Sequence, residues 1–257
     1  MFYNSGFSYN GIHSSTYDIF ACQIDSSNIE GQLLKQSLNT DKTKKSQKSN
    51  LYDMNKDNLT FTLTIATENW TNDKKDNVIK WLFSDTTNYS PLISDDDINV
   101  VYYCKPISME KVFFRESQGY LKVDFECNAP YGFNEVTHTY NLTTISTATD
   151  ITVSNTSNVA TYMYPEIEFT LASTNTGISL KNKTVNNEIT SFTGLNIGET
   201  IYMNGERCEI LSSLGSSTYR YNKHNGIFLR LTQGNNTIEV TGKCTLTIKS
   251  QYPILRM

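Results

Sequence analysis

A strict two-residue alternation is the sequence feature that most constrains this fold. In the run LTFTLTI, Leu59–Ile65, every odd position is apolar and every even position is threonine. A period of two places one row of side chains on a core and the other toward water, so this run predicts a half-buried β-strand. The same alternation recurs at Ile98–Cys104 and at Leu121–Cys127, where charged residues take the opposite face in the second run. The first half of the chain is therefore predicted to consist mainly of strands with one wet face.

A single helix is predicted among these strands, over about residues 72–84. Asn72 is predicted to cap its N-terminus, and Asp73 favours the positive end of the helix dipole. Five large side chains predict the face that packs on the sheet. They are Val78, Ile79, Trp81, Leu82 and Phe83.

Residues 35–58 differ from both neighbours because they are polar and rich in lysine, with almost no apolar periodicity. Two interpretations remain open. The segment is either a solvated loop, or a long hairpin or arm that becomes ordered against a partner.

The pattern changes after Cys127, and it predicts a domain boundary. The stretch of residues 134–160 is rich in Thr, Ser and Asn, and alternation returns beyond Pro165. We therefore predict an N-terminal domain over residues 1–133, sandwich-like and carrying the helix and the arm, and a C-terminal domain over residues 134–257.

Closely spaced short strands predict that the C-terminal domain is a β-sandwich. The dipeptide Asn204-Gly205, between Ile201–Met203 and Cys208–Ile210, predicts a hairpin turn, because both residues tolerate positive φ. Further strands are predicted at Ile227–Leu231, followed by a turn around Gly234-Asn235, and at the apolar positions Ile238, Val240, Cys244, Leu246 and Ile248.

Composition argues against several classes of function. The net charge is −4, and the basic residues cluster only at Lys42, Lys44, Lys45 and Lys48, whereas a duplex-binding surface needs clustered cations. No run approaches the ~20 apolar residues that span a bilayer. The opening residues lack the features of a signal peptide. We therefore expect no nucleic-acid partner and no membrane insertion, and we expect folding in a reducing cytoplasm.

The five cysteines include no CxxC pair, and most lie in strand-like runs. They are predicted to be reduced, buried thiols. They are Cys22, Cys104, Cys127, Cys208 and Cys244.

The sequence predicts no catalytic, cofactor-binding or metal-binding residue, and hence no enzyme. The motifs GxSxG, HExxH and GxxxxGK[ST] are absent. The histidines His13, His138 and His224 are predicted to lie on the surface. Asp95–Asp97 is predicted to form a turn, because it lacks the ligand spacing of a calcium loop. A glycoside hydrolase stays open, since paired carboxylates converge only in three dimensions.

The segment Tyr219–Asn225 supports a further alternative, a carbohydrate-binding module or adhesin. Aromatic rings stack on sugars, and Asn or His side chains can bind hydroxyl groups. A polar hairpin tip is the simpler interpretation of the same residues.

Taken in order along the chain, several segments resemble the distal tail protein family of long-tailed, siphovirus-type bacteriophages of Gram-positive hosts. The match departs at Ile19–Ala21, where the family more often has glycine. The matching segments are Phe7–Gly11, Ser14–Phe20, Leu59–Ile65, Ile79–Leu82, the turn Asp95–Asp97, Tyr102–Cys104, Gly119–Pro130, Tyr164–Ile167, Gly198–Asn204 and Phe228–Asn236.

This resemblance implies a structural subunit of the tail tip, or baseplate, of the virion, and no catalytic residues. It implies a homo-hexameric ring of N-terminal domains and a galectin-like, carbohydrate-module-like C-terminal sandwich. Such a ring would join the tail tube protein to the tail-associated hub protein and the receptor-binding proteins, after assembly in the host bacterial cytoplasm.

Overall fold

A computed structural model describes residues 5–22, 36–42, 44, 47–84, 87–115, 117–159, 162–172, 175–215 and 218–255. Within these residues the fold is mostly antiparallel β-structure with one α-helix, as the alternation predicts. The chain divides into two compact units. The first comprises Met1–Phe133 with Leu255–Met257, and the second comprises Asn134–Ile254.

The elements of the first unit include a short 3-10 helix at Ser14–Tyr17 and an α-helix, α1, at Asn72–Phe83. Its strands are β1 Phe7–Tyr9, β2 Ile12–His13, β3 Phe20–Ala21, β4 Gln36–Asp41, β5 Asn50–Lys56, β6 Thr60–Ala66, β7 Ser90–Ser94, β8 Asp97–Arg115 and β9 Gln118–Cys127.

The long strand β8 organises the first unit because it takes part in two strand arrays. Its first part pairs with β7, which continues through β1 to β2. Its second part pairs with β9, which continues through β6 to β3. Strands β4 and β5 pair with each other as a separate two-stranded sheet.

The predicted apolar rows line the core of this unit. Leu63 and Ile65 of β6 and Leu121, Val123 and Phe125 of β9 are buried, which confirms the two-residue period at both runs.

The third run predicted to alternate, Ile98–Cys104, departs from the pattern at Ile98, whose side chain is exposed although that of Val100 is buried. The reason is a bulge. Residues 98–100 lie between the pairs Ser94–Asp97 and Ile93–Val101, with no β7 residue opposite them. The alternation therefore does not extend to the start of β8.

Helix α1 packs on this core through Val78, Trp81 and Leu82, which are buried. Trp81 stacks on Phe7 with ring centroids 5.8 Å apart, and its indole N–H donates to the Tyr9 carbonyl at 3.1 Å. The prediction that Asn72 caps the helix is wrong. Thr71 is the N-cap, and its hydroxyl oxygen accepts from the Lys74 N–H at 3.1 Å.

The second unit contains a further 3-10 helix at Tyr221–Lys223. The strands from Gly132 onward are β10 Gly132–Asn141, β11 Thr149–Asn155, β12 Glu166–Leu171, β13 Ile178–Asn182, β14 Glu188–Phe192, β15 Thr200–Asn204, β16 Glu209–Ser212, β17 Gly234–Thr241 and β18 Cys244–Ile254.

These strands form two antiparallel sheets, which confirms the predicted sandwich. One sheet has the order β16-β15-β12-β18-β10, and the other has the order β11-β17-β13-β14. Apolar residues from both sheets share one core. Phe169 of the first sheet, for example, packs on Phe192 of the second, with ring centroids 5.3 Å apart. The galectin-like character of this sandwich stays a prediction.

The hairpin predicted at Asn204-Gly205 forms, but with a different turn. Asn204 pairs with Glu209, so the loop is the four residues 205–208. The residue with positive φ is Cys208, at 51°, and the Asn204 side chain accepts from the Arg207 N–H at 3.0 Å. A side-chain hydrogen bond therefore sets this turn, and the Asn-Gly pair does not take the predicted conformation.

The strand predicted at Ile227–Leu231 is wrong. These residues are irregular apart from a single bridge between Leu231 and Met163, and Gly234, which was predicted in a turn, begins β17. Side-chain amides take the place of a strand partner here. Asn182 donates to the Arg230 carbonyl at 2.8 Å, and the Asn225 side chain accepts from the Ile227 N–H at 3.2 Å.

Candidate interaction surfaces

The hairpin β4–β5, which we call the arm, carries an apolar face. A register shift between Asn39 and Thr40 places Thr40 opposite Leu51. Leu38 lies two residues from Thr40, so Leu38 and Leu51 point to the same side of the ribbon. Their exposed fractions are 59% and 60%. Sequence periodicity missed this face because the two leucines lie on different strands, and only the shifted register brings them to one side.

Tyr52 adds to the exposed apolar surface of the arm. It lies at the register shift, between Leu51 and Asp53, and it is also exposed. An isolated two-stranded hairpin is at best marginally stable in water. A ribbon that exposes large apolar side chains is suited to burial against another protein surface. The arm is therefore the first candidate interaction surface.

The acidic turn at Asp95–Asp97 meets His13 and Ser15 in an arrangement that resembles a Ser-His-Asp triad. The Ser15 hydroxyl lies 2.7 Å from His13 Nδ1, and Asp95 Oδ2 lies 3.1 Å from His13 Nε2. His13 is also the N-cap of the 3-10 helix, and its Nδ1 accepts from the Ser15 N–H at 3.2 Å. The arrangement therefore fastens the turn to the start of the chain.

Further bonds support this structural role. The Asp95 N–H donates to the Gly6 carbonyl at 3.0 Å, and the Ser5 hydroxyl donates to Asp96 at 2.7 Å. Among the residues the structure describes, no group of three or more His, Cys, Asp or Glu side chains is arranged to hold a metal ion.

The segment between β16 and β17 is the second candidate surface. It is held by Arg220, whose guanidinium donates to both carboxylate oxygens of Glu199, at 2.7 and 3.2 Å. Ser212 and the Asn196 N–H also donate to this carboxylate, at 2.6 and 2.9 Å. Burial raises the pKa of Glu199, but these hydrogen bonds outweigh it and hold the pKa below its usual range.

Two tyrosines flank Arg220 of this ion pair in the sequence. Tyr219 and Tyr221 are 65% and 42% exposed, and their ring centroids lie 5.4 Å apart. The Tyr221 hydroxyl accepts from the Ile210 N–H at 3.1 Å, which fixes the position of its ring. The Glu199–Arg220 pair was missed from the sequence because the two residues lie in different irregular segments without a shared motif.

His224, predicted on the surface beside these tyrosines, is instead half-buried between Phe192 and Phe228. The ring centroids lie 4.6 and 4.9 Å from the imidazole. Burial lowers the pKa of His224, although a hydrogen bond with the backbone of Ile227 raises it in part. The imidazole therefore packs on two phenylalanines, while the His224 N–H donates to the Tyr221 carbonyl at 3.3 Å.

The outer side of the five-stranded sheet holds a cavity of about 170 Å³ with three carboxylates at its wall. Gln251 donates to Glu135 at 2.8 Å, and Asn204 donates to Glu166 at 3.0 Å. Glu206 and Lys249 also line the cavity. Two of the three carboxylates are thus already bound by neighbouring amides.

The cysteines differ more than the sequence predicts. Cys104, Cys127 and Cys244 are buried, Cys22 is half-buried and Cys208 is exposed, and all five are free. The prediction of burial is therefore wrong for Cys208, which lies in the turn after Asn204. Within the described part of the chain, no helix is long and apolar enough to cross a membrane.

Comparison with known proteins gives a family match over both units. A family model described as a phage tail protein N-terminal domain matches residues 2–129, and one described as a phage tail C-terminal domain matches residues 131–250. The SPbeta prophage-derived uncharacterized protein YomH of Bacillus subtilis (strain 168) is 26% identical over 260 residues, which cover 97% of each chain.

Two solved structures with a similar fold are phage proteins, one described with a hub adsorption apparatus and one from a baseplate. The Dit protein of phage SPP1, described as a paradigm of the hub adsorption apparatus in phages that infect Gram-positive bacteria, matches with a TM-score of 0.69 at 12% identity. The match covers 96% of this chain and 98% of that protein. A chain of the phage p2 baseplate, in its activated conformation with Sr, matches with a TM-score of 0.52 at 9% identity, over 95% and 97% of the two chains.

The resemblance to distal tail proteins that the sequence indicates is thus confirmed. The two family models together span nearly the whole chain, and the SPP1 match extends over both units. This chain belongs to the phage tail protein family that these two domain models describe, and it has the fold of a distal tail protein.

Proposed function

We propose that this chain is a structural subunit of the phage tail tip, and that six copies close into a ring. The ring joins the tail tube protein to the tail-associated hub protein and carries the receptor-binding proteins. The observation that carries the proposal is the match to the SPP1 Dit protein across both units of the chain. Residues 1–133 would form the ring domain, and residues 134–257 the sandwich that decorates it.

A ring of identical subunits needs a heterologous contact, in which two different patches of the same chain meet. The arm is suited to be one of these patches. Its apolar face, Leu38 and Leu51, lies on a ribbon that pairs with no other strand among the described residues. Burial against a neighbouring copy would remove this face from water.

The oligomeric state tests the proposal. Light scattering and negative-stain imaging of the purified full-length chain should show a closed ring, alone or after addition of the tube or hub protein. A chain that remains monomeric at high concentration, and that associates with neither protein, would contradict the proposal.

The arm is tested by a pair of matched variants. Leu38→Ser with Leu51→Ser removes the apolar face, whereas Ser37→Ala with Asn39→Ala changes the opposite face of β4. Burial of a leucine contributes about 1.5–3 kcal/mol, so loss of both leucines should weaken association by at least roughly 100-fold. Deletion of residues 36–57 should have a larger effect on assembly than on domain stability. If the double leucine variant and the deletion variant both associate as strongly as the unchanged chain, the arm is not a ring contact.

The proposal assigns the chain no catalytic residue and places its assembly in the host cytoplasm, before release of the virion. A glycoside hydrolase would contradict it. Prolonged incubation of the full-length chain with host cell wall should release no soluble sugar, and sugar release would revive the hydrolase alternative.

A second candidate function is recognition of a host wall polysaccharide, and the exposed pair Tyr219 and Tyr221 favours it. Isothermal titration of the full-length chain with that polysaccharide should then show binding, which Tyr219→Ala would weaken. Tyr89→Ala, at an exposed tyrosine of the first unit, is the control. Absence of binding by the unchanged chain would dismiss this function.

A further inference from the structure

Two cysteines lie directly opposite each other in the first unit. Cys104 of β8 pairs with Cys127, the last residue of β9. Their side chains are 0% and 1% exposed, and both thiols are free. They lie far apart in sequence, so only the strand register brings them together.

The hydrogen bonds show which kind of cross-strand pair this is. The Cys127 N–H donates to the Leu59 carbonyl at 2.8 Å, on the side away from β8, and the Asn128 N–H donates to the Tyr103 carbonyl at 2.9 Å. Cys104 and Cys127 are therefore a non-hydrogen-bonded pair, in which Cα atoms lie about 4.5 Å apart. Disulfides join Cα atoms about 4.4–6.8 Å apart. The Cα spacing expected for this kind of pair thus falls within the range that a disulfide requires.

The pair also occupies a special point of the topology. Cys104 is paired with Ser90 of β7 on one side and with Cys127 of β9 on the other. It is the residue at which β8 passes from one strand array to the other. A covalent link here would join β9 to β8 at the point where the two arrays meet.

The surroundings keep these thiols reduced until a small oxidant reaches them. Burial, and then the hydrogen bond and charge of Cys127, raise the pKa of the Cys104 thiol well above its usual range. A neutral thiol reacts slowly because the thiolate is the nucleophile. Because both thiols are also buried, an oxidant that reaches them must be small.

We propose that Cys104 and Cys127 form an oxidation site that closes into a cross-strand disulfide when the protein meets a hydroperoxide outside a reducing compartment. In the first step one sulfur attacks the O–O bond and becomes a sulfenic acid, and the displaced oxygen leaves as water. In the second step the other sulfur displaces the hydroxyl group, which leaves with the thiol proton as a second water. Two thiols are oxidised as one hydrogen peroxide is reduced. This chemistry depends on the fold of the first unit and not on the proposed tail-tip role.

Other cysteines of the same chain serve as internal references. Cys208 is exposed, so it should be oxidised first. Cys244 is buried opposite Leu171, and burial raises the pKa of its thiol to about 11. Burial without an opposing thiol should leave Cys244 reduced.

The experiment is a peptide map of the full-length protein after treatment with hydrogen peroxide. The protein is then unfolded in an alkylating reagent, digested and analysed by mass spectrometry. The peptides of Cys104 and Cys127 should be linked and lighter by two hydrogen atoms, while Cys244 is alkylated. In a Cys208→Ser background, the unfolding equilibrium constant of the oxidised protein should fall roughly 300-fold, as expected for a closed loop of this length.

Two outcomes would overturn the proposal. In the first, Cys208 is fully oxidised while Cys104 and Cys127 remain open to alkylation. In the second, both residues gain oxygen without becoming linked. The Cys127→Val variant is the control, since peroxide should not stabilise it. If that variant does not fold, the peptide map of the unchanged protein still shows whether Cys104 and Cys127 become linked.

Discussion

At the scale of single residues, the buried ion pair of the second unit has the clearest energetic consequence. Glu199 has a fully buried side chain, and Arg220 is 14% exposed. A carboxylate in this position is tolerated because four donors satisfy it, from Arg220, Ser212 and Asn196. Loss of one partner from such a pair leaves an uncompensated buried charge.

We therefore expect Glu199→Ala to destabilise the second unit by about 3 kcal/mol, measured as the free energy of unfolding in urea. Glu188→Ala is the matched control. Glu188 pairs with Arg230 at the same distance, 2.7 Å, but the two side chains are 26% and 29% exposed. A more exposed pair should contribute about 1 kcal/mol or less. Equal losses in the two variants would refute the role of burial.

His224 makes the stability of the second unit depend on pH. Burial lowers its pKa in the folded state, whereas an unfolded histidine titrates near pH ~6.5. The unfolded chain therefore binds the proton more readily, so stability is fully present above pH ~6.5 and is lost as the pH falls toward the folded pKa. The urea midpoint should decrease between pH 8 and 5 more in the unchanged protein than in His224→Phe. Parallel pH profiles for the two proteins would contradict this assignment.

Glu199, Arg220 and His224 also show what sequence patterns cannot reveal. Nothing in the local sequence of Glu199 or Arg220 distinguishes them from surface charges, since their pairing depends on how two irregular segments cross. His224 lies in a polar segment, and its burial results from contacts with Phe192 and Phe228. Partners distant in sequence decide all three environments.

At the scale of elements, the N-terminus of α1 provides a discriminating test. Asn72 fits the cap preference as well as Thr71 does, but the Thr71 side chain accepts from the Lys74 N–H. Thr71→Ala should therefore cost about 1 kcal/mol of stability, and Asn72→Ala should cost much less. Thermal unfolding followed by circular dichroism measures both. A larger loss for Asn72→Ala would place the cap where the sequence pattern predicts it.

Strands could be predicted from the sequence where one face of the strand packs on the hydrophobic core along its whole length. Leu59–Ile65 and Leu121–Cys127 pair with each other across β6 and β9. Their apolar rows are buried except at Phe61, which is half-buried. Prediction failed where the backbone departs from a regular ladder. A bulge exposes Ile98, and side-chain amides replace a strand partner along Ile227–Leu231.

At the scale of the whole molecule, the order of weak motifs was more informative than any one of them. Segments from Phe7 to Asn236 resemble the distal tail family in sequence order, and the fold match to SPP1 Dit covers nearly the same length. The surfaces that the proposed ring would use were not predictable, because exposed leucines on an arm carry no signal of their partner. The fold could thus be predicted from the alternation and the order of the motifs. The candidate interaction surfaces could be identified only from the structure.

Each unit encloses its own hydrophobic cluster, one built around Trp81 and Leu82 and the other around Phe169 and Phe192. We therefore expect the full-length chain to unfold in two calorimetric transitions. Leu82→Ala removes a fully buried side chain from the first cluster. It should cost about 2–5 kcal/mol and lower one transition, while Leu246→Ala should lower the other. A single transition that both variants shift equally would show that the two units unfold as one cooperative body.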